Sequence, residues 1–235
     1  MIVAENVEPA TFLSRPNKFL VVARLESGQE VEAHLADPGR LKDLLYPGVN
    51  GWVVHVLGPN RKTAYDFIAV KHEDIIVSLD TRVPNHLVRE LLASGWLFPD
   101  ITFDEVRQEY RHASSRVDFY CRQDTTSYLI EVKSAGFVDD EVALFPDAPT
   151  KRGTRHVKEL ISAIGEGYTP IIVFVIQRPD ASSVSSNRGI DPAFSKALSE
   201  AWEAGVRMVA FTNRLDIDAG GMLRIEPICT VPVRV

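Results

Sequence analysis

The chain has 235 residues, 45% of them hydrophobic and 25% charged, with 32 acidic against 26 basic side chains and a net charge of −6. That length holds one large domain or two small ones, and the balanced composition excludes a disordered or low-complexity protein. The acidic excess runs through both halves, so a polyanion would have to be met by local basic patches rather than by bulk charge.

Residues 1 to about 82 read as mostly strand. Phe19 to Leu25 and Gln29 to His34 flank a Glu-Ser-Gly turn, a hairpin signal. Asp37-Pro38-Gly39 turns the chain into a short helical piece, Arg40 to Leu45, which Pro47-Gly48 ends. Trp52 to Leu57, Thr63 to Lys71 and Ile75 to Leu79 follow as strands. Five short strands in about eighty residues suggest a small barrel, of which the OB-fold is a common nucleic-acid-binding example. Arg15, Lys18, Arg40, Arg61 and Lys62 are its candidate phosphate contacts, each equally readable as a solvated loop charge.

From Val83 the pattern alternates helix and strand. Asn85 can cap a helix striped by Leu87, Val88, Leu91 and Leu92 and ended by Gly95. Phe103 to Tyr110 is a strand, and Ser115 to Ser134 (SRVDFYCRQDTTSYLIEVKS) reads as a β-hairpin turning at Asp124-Thr125. If Gln123 pairs with Thr126, counting back sets Asp118 across from Glu131, with Lys133 on the same face as Glu131. Paired Cβ atoms lie roughly 4.5–5.5 Å apart. Two carboxylates at that separation repel unless a cation sits between them, and Mg²⁺ takes such carboxylates together with water and phosphate oxygens. The alternative is a solvated sheet face whose charges do no chemistry.

A loop follows from Gly136 to Gly153, ending in the densest basic cluster of the chain: Lys151, Arg152, Arg155 and His156. It feeds a helix N-terminus, which favours phosphate. That helix carries Val157, Leu160, Ile161 and Ile164 on one face. Ile171 to Ile176 reads as a strand covered on both faces, Asp191-Pro192 as a cap and first turn, and Met208 to Thr212 as a last strand. The order gives an αβββαβ core. The expected organisation is an OB-like barrel over 1–82 and a restriction-endonuclease-like mixed sheet flanked by helices over 83–235.

Two cysteines, Cys121 and Cys229, form neither a CxxC nor a Cys/His cluster. That argues against zinc or a disulfide framework and fits a reducing cytoplasm. No basic stretch precedes an apolar core at the N-terminus, and no run approaches the ~18 apolar residues of a membrane span. A cytoplasmic protein without a membrane partner is expected.

The spacing Asp118-x₁₂-Glu131-x-Lys133 resembles the PD-(D/E)xK nuclease signature, with Val117 where the motif has proline. That resemblance implies that Asp118, Glu131 and the Val132 carbonyl hold Mg²⁺ or Mn²⁺ and that Lys133 assists a water, with Glu90 as a further acid. Over nearly its full length the chain also resembles the sugar fermentation stimulation protein A (SfsA) family. The match is carried by Arg15-Pro16-Asn17-Lys18-Phe19-Leu20, Asp37-Pro38-Gly39-Arg40, Arg116-Val117-Asp118-Phe119, Glu131-Val132-Lys133-Ser134, and Phe145-Pro146-Asp147-Ala148-x-Thr150-x-Arg152-Gly153-x-x-His156. It implies a DNA-binding protein linked to regulation of sugar use. The expectation is a metal-dependent nuclease acting on DNA or RNA, against a non-cleaving DNA-binding regulator of sugar catabolism; a homodimer stays open. A sugar-metabolising enzyme finds no support, since no Gly-rich phosphate loop or nucleophile motif is present.

Overall fold

The computed structural model describes residues 1–235, which divide into two compact units: 1–83 with 177–179 and 213–228, and 84–176 with 180–212 and 229–235.

In the first unit, β1 (Ile2–Ala4) and β2 (Val7–Asn17) precede β3 (Leu20–Leu25), β4 (Glu30–His34), β5 (Asn50–His55), β6 (Tyr65–His72) and β7 (Ile75–Ser78). Antiparallel ladders join β2 to β3, β3 to β4, β2 to β5 and β5 to β6. The ring closes where β4 runs parallel to β6, pairing Ala33 with Tyr65 and His34 with Asp66. The result is a closed five-stranded OB-like barrel, with β7 added along β6. Alternate residues fill it: Ala10, Phe12, Val21, Ala23, Val31, Ala33, Val53 and Phe67 are buried together. Each large side chain there contributes about 1.5–3 kcal/mol. Gly51 is required by this packing, since a Cβ there would meet Phe67 Cζ at 2.4 Å and the Ala69 carbonyl at 2.7 Å.

Two parts of this unit differ from the sequence reading. The strand Val7–Asn17 was not expected, because Pro9 and Pro16 interrupt its pattern; yet Val7, Ala10 and Phe12 still point inward, and Pro9 pairs with Trp52. The helical piece at Arg40 to Leu45 is a set of turns instead. Leu41 takes φ 50°, and its carbonyl accepts from both Leu44 and Leu45, which closes one turn that does not continue.

The second unit contains α1 (Val83–Ser94), β8 (Glu105–His112), β9 (Ser115–Gln123), β10 (Thr126–Ala135), β11 (Phe137–Asp139), β12 (Val142–Phe145), α2 (Lys151–Gly165), β13 (Tyr168–Ile176), β14 (Ser183–Ser186) and α3 (Pro192–Glu203). Then come β15 (Arg207–Ile217), β16 (Leu223–Val231) and β17 (Val233–Arg234). β8, β9 and β10 form an antiparallel meander, while β13 runs parallel to β10 and β15 parallel to β13, so the sheet is mixed. Residues 213–228 of β15 and β16 fall in the first unit, where β16 pairs with β1. Every residue from Pro170 to Ile176 is buried, as its unbroken apolar run predicts. Helices α2 and α3 cover one face, with Val157, Leu160, Phe194 and Leu198 packed against Leu129, Ile172 and Phe174.

The expected long loop after the central hairpin is another difference. It folds as the β11–β12 hairpin, and β12, β14 and β17 pair in parallel to make a small second sheet. Helix α1 begins before Asn85, at Val83, whose N–H reaches the Asp80 carbonyl; Asn85 is therefore free to point its amide elsewhere. Helix α2 begins at Lys151, so the basic cluster lies on the helix rather than ahead of it.

A candidate metal centre on the central hairpin

The hairpin register is the one that counting predicts: Thr126 pairs with Gln123, and the ladder runs to Ile130 with Phe119. There it stops. The next N–H, from Val132, donates at 2.7 Å to Asp118 Oδ2 instead of to the main chain of β9. On the other side of β9 the ladder skips from Gln108–Phe119 to Tyr110–Val117, and Glu109, the residue passed over beside Asp118, takes φ 53°. Backbone in sparsely populated regions tends to collect at functional sites. Asp118 Oδ1 accepts from the Asn85 amide at 2.8 Å, so α1 fixes its second oxygen.

Glu131 and Lys133 follow Leu129 on the face of β10 that packs under α2. They are only 3% and 7% exposed. Glu131 Oε1 accepts from Lys133 Nζ and from His156 Nδ1, both at 2.5 Å. Glu131 Oε2 is buried with no hydrogen-bond partner. A buried carboxylate oxygen left bare costs roughly 1–3 kcal/mol or more.

The electrostatics differ between the two acids. Burial, then the charge of Glu131, pushes the Asp118 carboxyl up to about 6, and the Val132 N–H, the Lys133 charge and the Asn85 amide only partly offset this. Glu131 is held below the usual carboxylate range. Burial alone would raise it, but the Lys133 charge and the hydrogen bond from His156 outweigh that. Two carboxylates that feel each other's charge, one destabilised as an anion and one with a bare oxygen, fit a hard divalent cation bound by oxygen. No third His, Cys, Asp or Glu joins them in a cluster of metal-ligand spacing.

The basic residues divide by what they do. Lys151, Arg152 and Arg155 are exposed on the first turns of α2, with Arg155 3.9 Å from Glu159. Lys18, Arg40 and Lys62 are exposed on the barrel, Lys18 over the Phe19 ring at 4.8 Å. Arg15 differs from the expectation: its guanidinium donates to the carbonyls of Gly39, Lys18 and Asp37 at 2.7–2.9 Å, tying two loops together. Arg61 is paired with the buried Asp66. Glu90 is exposed on α1. His156 also differs: at 4% exposure it lies under the helix against Glu131 and cannot be a surface contact to a polyanion.

Two residues of the site, Asn85 and His156, were thus given other duties by the sequence pattern. For His156 the signal was present, since Gly153, His156, Leu160 and Ala163 recur at helical spacing and all are buried. For Asn85 there was none, because its partner is 33 residues away.

The start of α2 explains the Thr150-to-His156 motif. Thr150 Oγ1 accepts the Gly153 N–H at 3.0 Å, and a Cβ on Gly153 would meet Thr150 Cγ2 at 2.8 Å, so glycine lets the cap seat. Asp191 Oδ2 accepts the Thr150 N–H at 2.7 Å, while its Oδ1 caps α3 through the Phe194 N–H at 2.9 Å.

Fold and site define a two-unit protein in which an OB-like barrel is joined in sequence to a mixed sheet carrying a buried Glu131 and a half-buried Asp118. The model described as the SfsA N-terminal OB domain matches residues 13–79, and that described as the sugar fermentation stimulation protein RE domain matches residues 82–219. The chain belongs to the sugar fermentation stimulation protein family. The homolog from Moorella thermoacetica is 44% identical over 213 residues, covering 90% of this chain and 91% of that one. The homolog from Desulforamulus reducens is 37% identical over 227 residues, covering 97% and 94%. Among solved structures, Pyrococcus furiosus SfsA in complex with Ca²⁺ matches over 100% of both chains, with a TM-score of 0.87 at 28% identity.

Proposed function

We propose that this protein is a divalent-metal-dependent nuclease that hydrolyses phosphodiester bonds in nucleic acid, DNA first and RNA second. The observation that carries this reading is the bare, buried Glu131 Oε2, together with an Asp118 carboxyl raised by burial and by the charge of Glu131. Asp118, Glu131 and the Val132 carbonyl would hold Mg²⁺ or Mn²⁺. Bound there, the ion supplies charge neutralisation at phosphorus and a water of lowered pKa. The residues of the chain do the rest. Asn85 and the Val132 N–H orient Asp118. Lys133, anchored on Glu131, presents a point charge to the scissile phosphate and the attacking water. Lys151, Arg152 and Arg155, exposed at a helix N-terminus, grip the neighbouring phosphates. On the barrel, Lys18, Arg40 and Lys62 are exposed cations that can meet phosphates in their own right. The Ca²⁺ named for the Pyrococcus furiosus relative supports a hard-cation site in this family.

The test is incubation with labelled single-stranded, duplex and flapped DNA and with RNA, in Mg²⁺, Mn²⁺ or EDTA, beside Asp118→Asn and Glu131→Gln. Metal-dependent cleavage lost in both variants while binding persists is the expected result. Binding without cleavage by the wild type overturns the reading and leaves a non-cleaving DNA-binding regulator.

A further inference from the structure

From the hydrogen bonds around Glu131 we infer that His156 is a positioning residue for the metal centre, holding Glu131 so that Oε2 alone faces the ion. The inference rests on the metal-site reading above.

Glu131 has two oxygens and three torsions, and either oxygen could turn toward a cation. Two donors at 2.5 Å, Lys133 Nζ and His156 Nδ1, converge on Oε1. They saturate that oxygen and leave Oε2 as the free ligand atom. Lys133 cannot fix the rotamer by itself, because it sits two residues along the same strand on a flexible stem that moves with β10. His156 comes from a different element, and its ring is clamped by burial in the first turns of α2.

Arg152, one turn earlier, donates from Nε to His156 Nε2 at 3.4 Å. That leaves Nε2 as an acceptor and places the imidazole proton on Nδ1, where it meets Glu131. The sequence Arg152, His156, Glu131 is therefore a chain of donors ending on a ligand carboxylate. It parallels the outer hydrogen bonds that orient ligands at metal sites in general. The spacing of four residues between Arg152 and His156 is what one helical turn requires.

The experiment has two arms, both without substrate. Calorimetric titration with Mn²⁺ compares wild type, His156→Ala and His156→Asn. The alanine variant is expected to bind about 10–100-fold more weakly. Asparagine, whose amide nitrogen falls near the position of Nδ1, is expected to recover most of that loss, which a purely space-filling role would not produce. Nitrogen-15 spectra of the imidazoles, assigned to His156 by comparison with the asparagine variant, are expected to show the proton on Nδ1.

Wild-type binding with an unchanged His156→Ala affinity overturns the positioning role and leaves the metal site standing. No wild-type Mn²⁺ binding at all overturns the site and the inference together. Should the alanine variant fail to fold, the asparagine variant and the wild-type spectrum still decide: a proton on Nε2 refutes the inference.

Discussion

The Val132 N–H donates to Asp118 Oδ2 at 2.7 Å, at the step where the main-chain ladder between β9 and β10 gives out. A side chain has taken the place of a backbone acceptor, so the carboxylate of Asp118 is held as firmly as a ladder residue while its charge stays in a half-buried site.

That arrangement sets stability against function. Asp118 as an anion is destabilised by burial and by Glu131. Asp118→Asn removes the charge; its carbonyl can still accept from Val132, and the Asn85 amide can turn to meet its NH₂. The metal-free variant is expected to be more stable by about 1 kcal/mol, a rise of roughly 2–4 °C in Tm, while divalent cations that raise the wild-type Tm leave the variant unmoved. Thermal unfolding with EDTA and with Mn²⁺ checks both.

Gly153 and Thr150 should behave as one unit. Gly153→Ala would push on Thr150 Cγ2 at 2.8 Å and unseat the cap, and Thr150→Ala removes it outright. Each is expected to cost about 1–2 kcal/mol, and the double variant markedly less than their sum. Denaturant unfolding of the four proteins measures the coupling.

Inside the barrel, Gly51→Ala meets Phe67 Cζ at 2.4 Å and the Ala69 carbonyl at 2.7 Å. Overpacking of this kind costs about 1–3 kcal/mol. Phe67→Leu in the same chain relieves the ring clash but not the carbonyl clash, so partial rescue is expected in urea unfolding curves.

Cys121 gives a pH dependence whose sign follows from its burial, which pushes the thiol up from 9.0 to about 12. The unfolded chain ionises first, so the contribution of this group is fully present below pH 9 and is lost as pH rises toward 12. Between those limits wild type should lose about 1.4 kcal/mol per pH unit more than Cys121→Ala does. Urea titrations at pH 8, 9.5 and 10.5 test it. Native alkylation should modify the exposed Cys229 and spare Cys121.

Strong periodicities were legible in the sequence, and compensated breaks in them were not. Ile171 to Ile176, the Asp191-Pro192 start of α3 and the central hairpin register all follow from local pattern. The strand Val7–Asn17 was hidden by prolines that sheet geometry tolerates. Leu41, in the left-handed region, stopped a helix that composition favoured. For the candidate site, Asp118, Glu131 and Lys133 are singled out by strand alternation, hairpin counting and their spacing. The partners of the two acids are not, since Asn85 and His156 arrive from helices 33 and 25 residues away. Tertiary contacts of that kind leave no trace in local spacing.

The N-terminal strand has a consequence for how the chain is assembled. Ile2 pairs with Arg224, Ala4 with Leu223, and the Met1 amine reaches the Ile225 carbonyl at 3.0 Å. Each of these contacts spans more than 200 residues, so loop closure makes it late as well as distant. Strand β1 therefore stays unpaired during folding until β16, more than 200 residues further along, is in place.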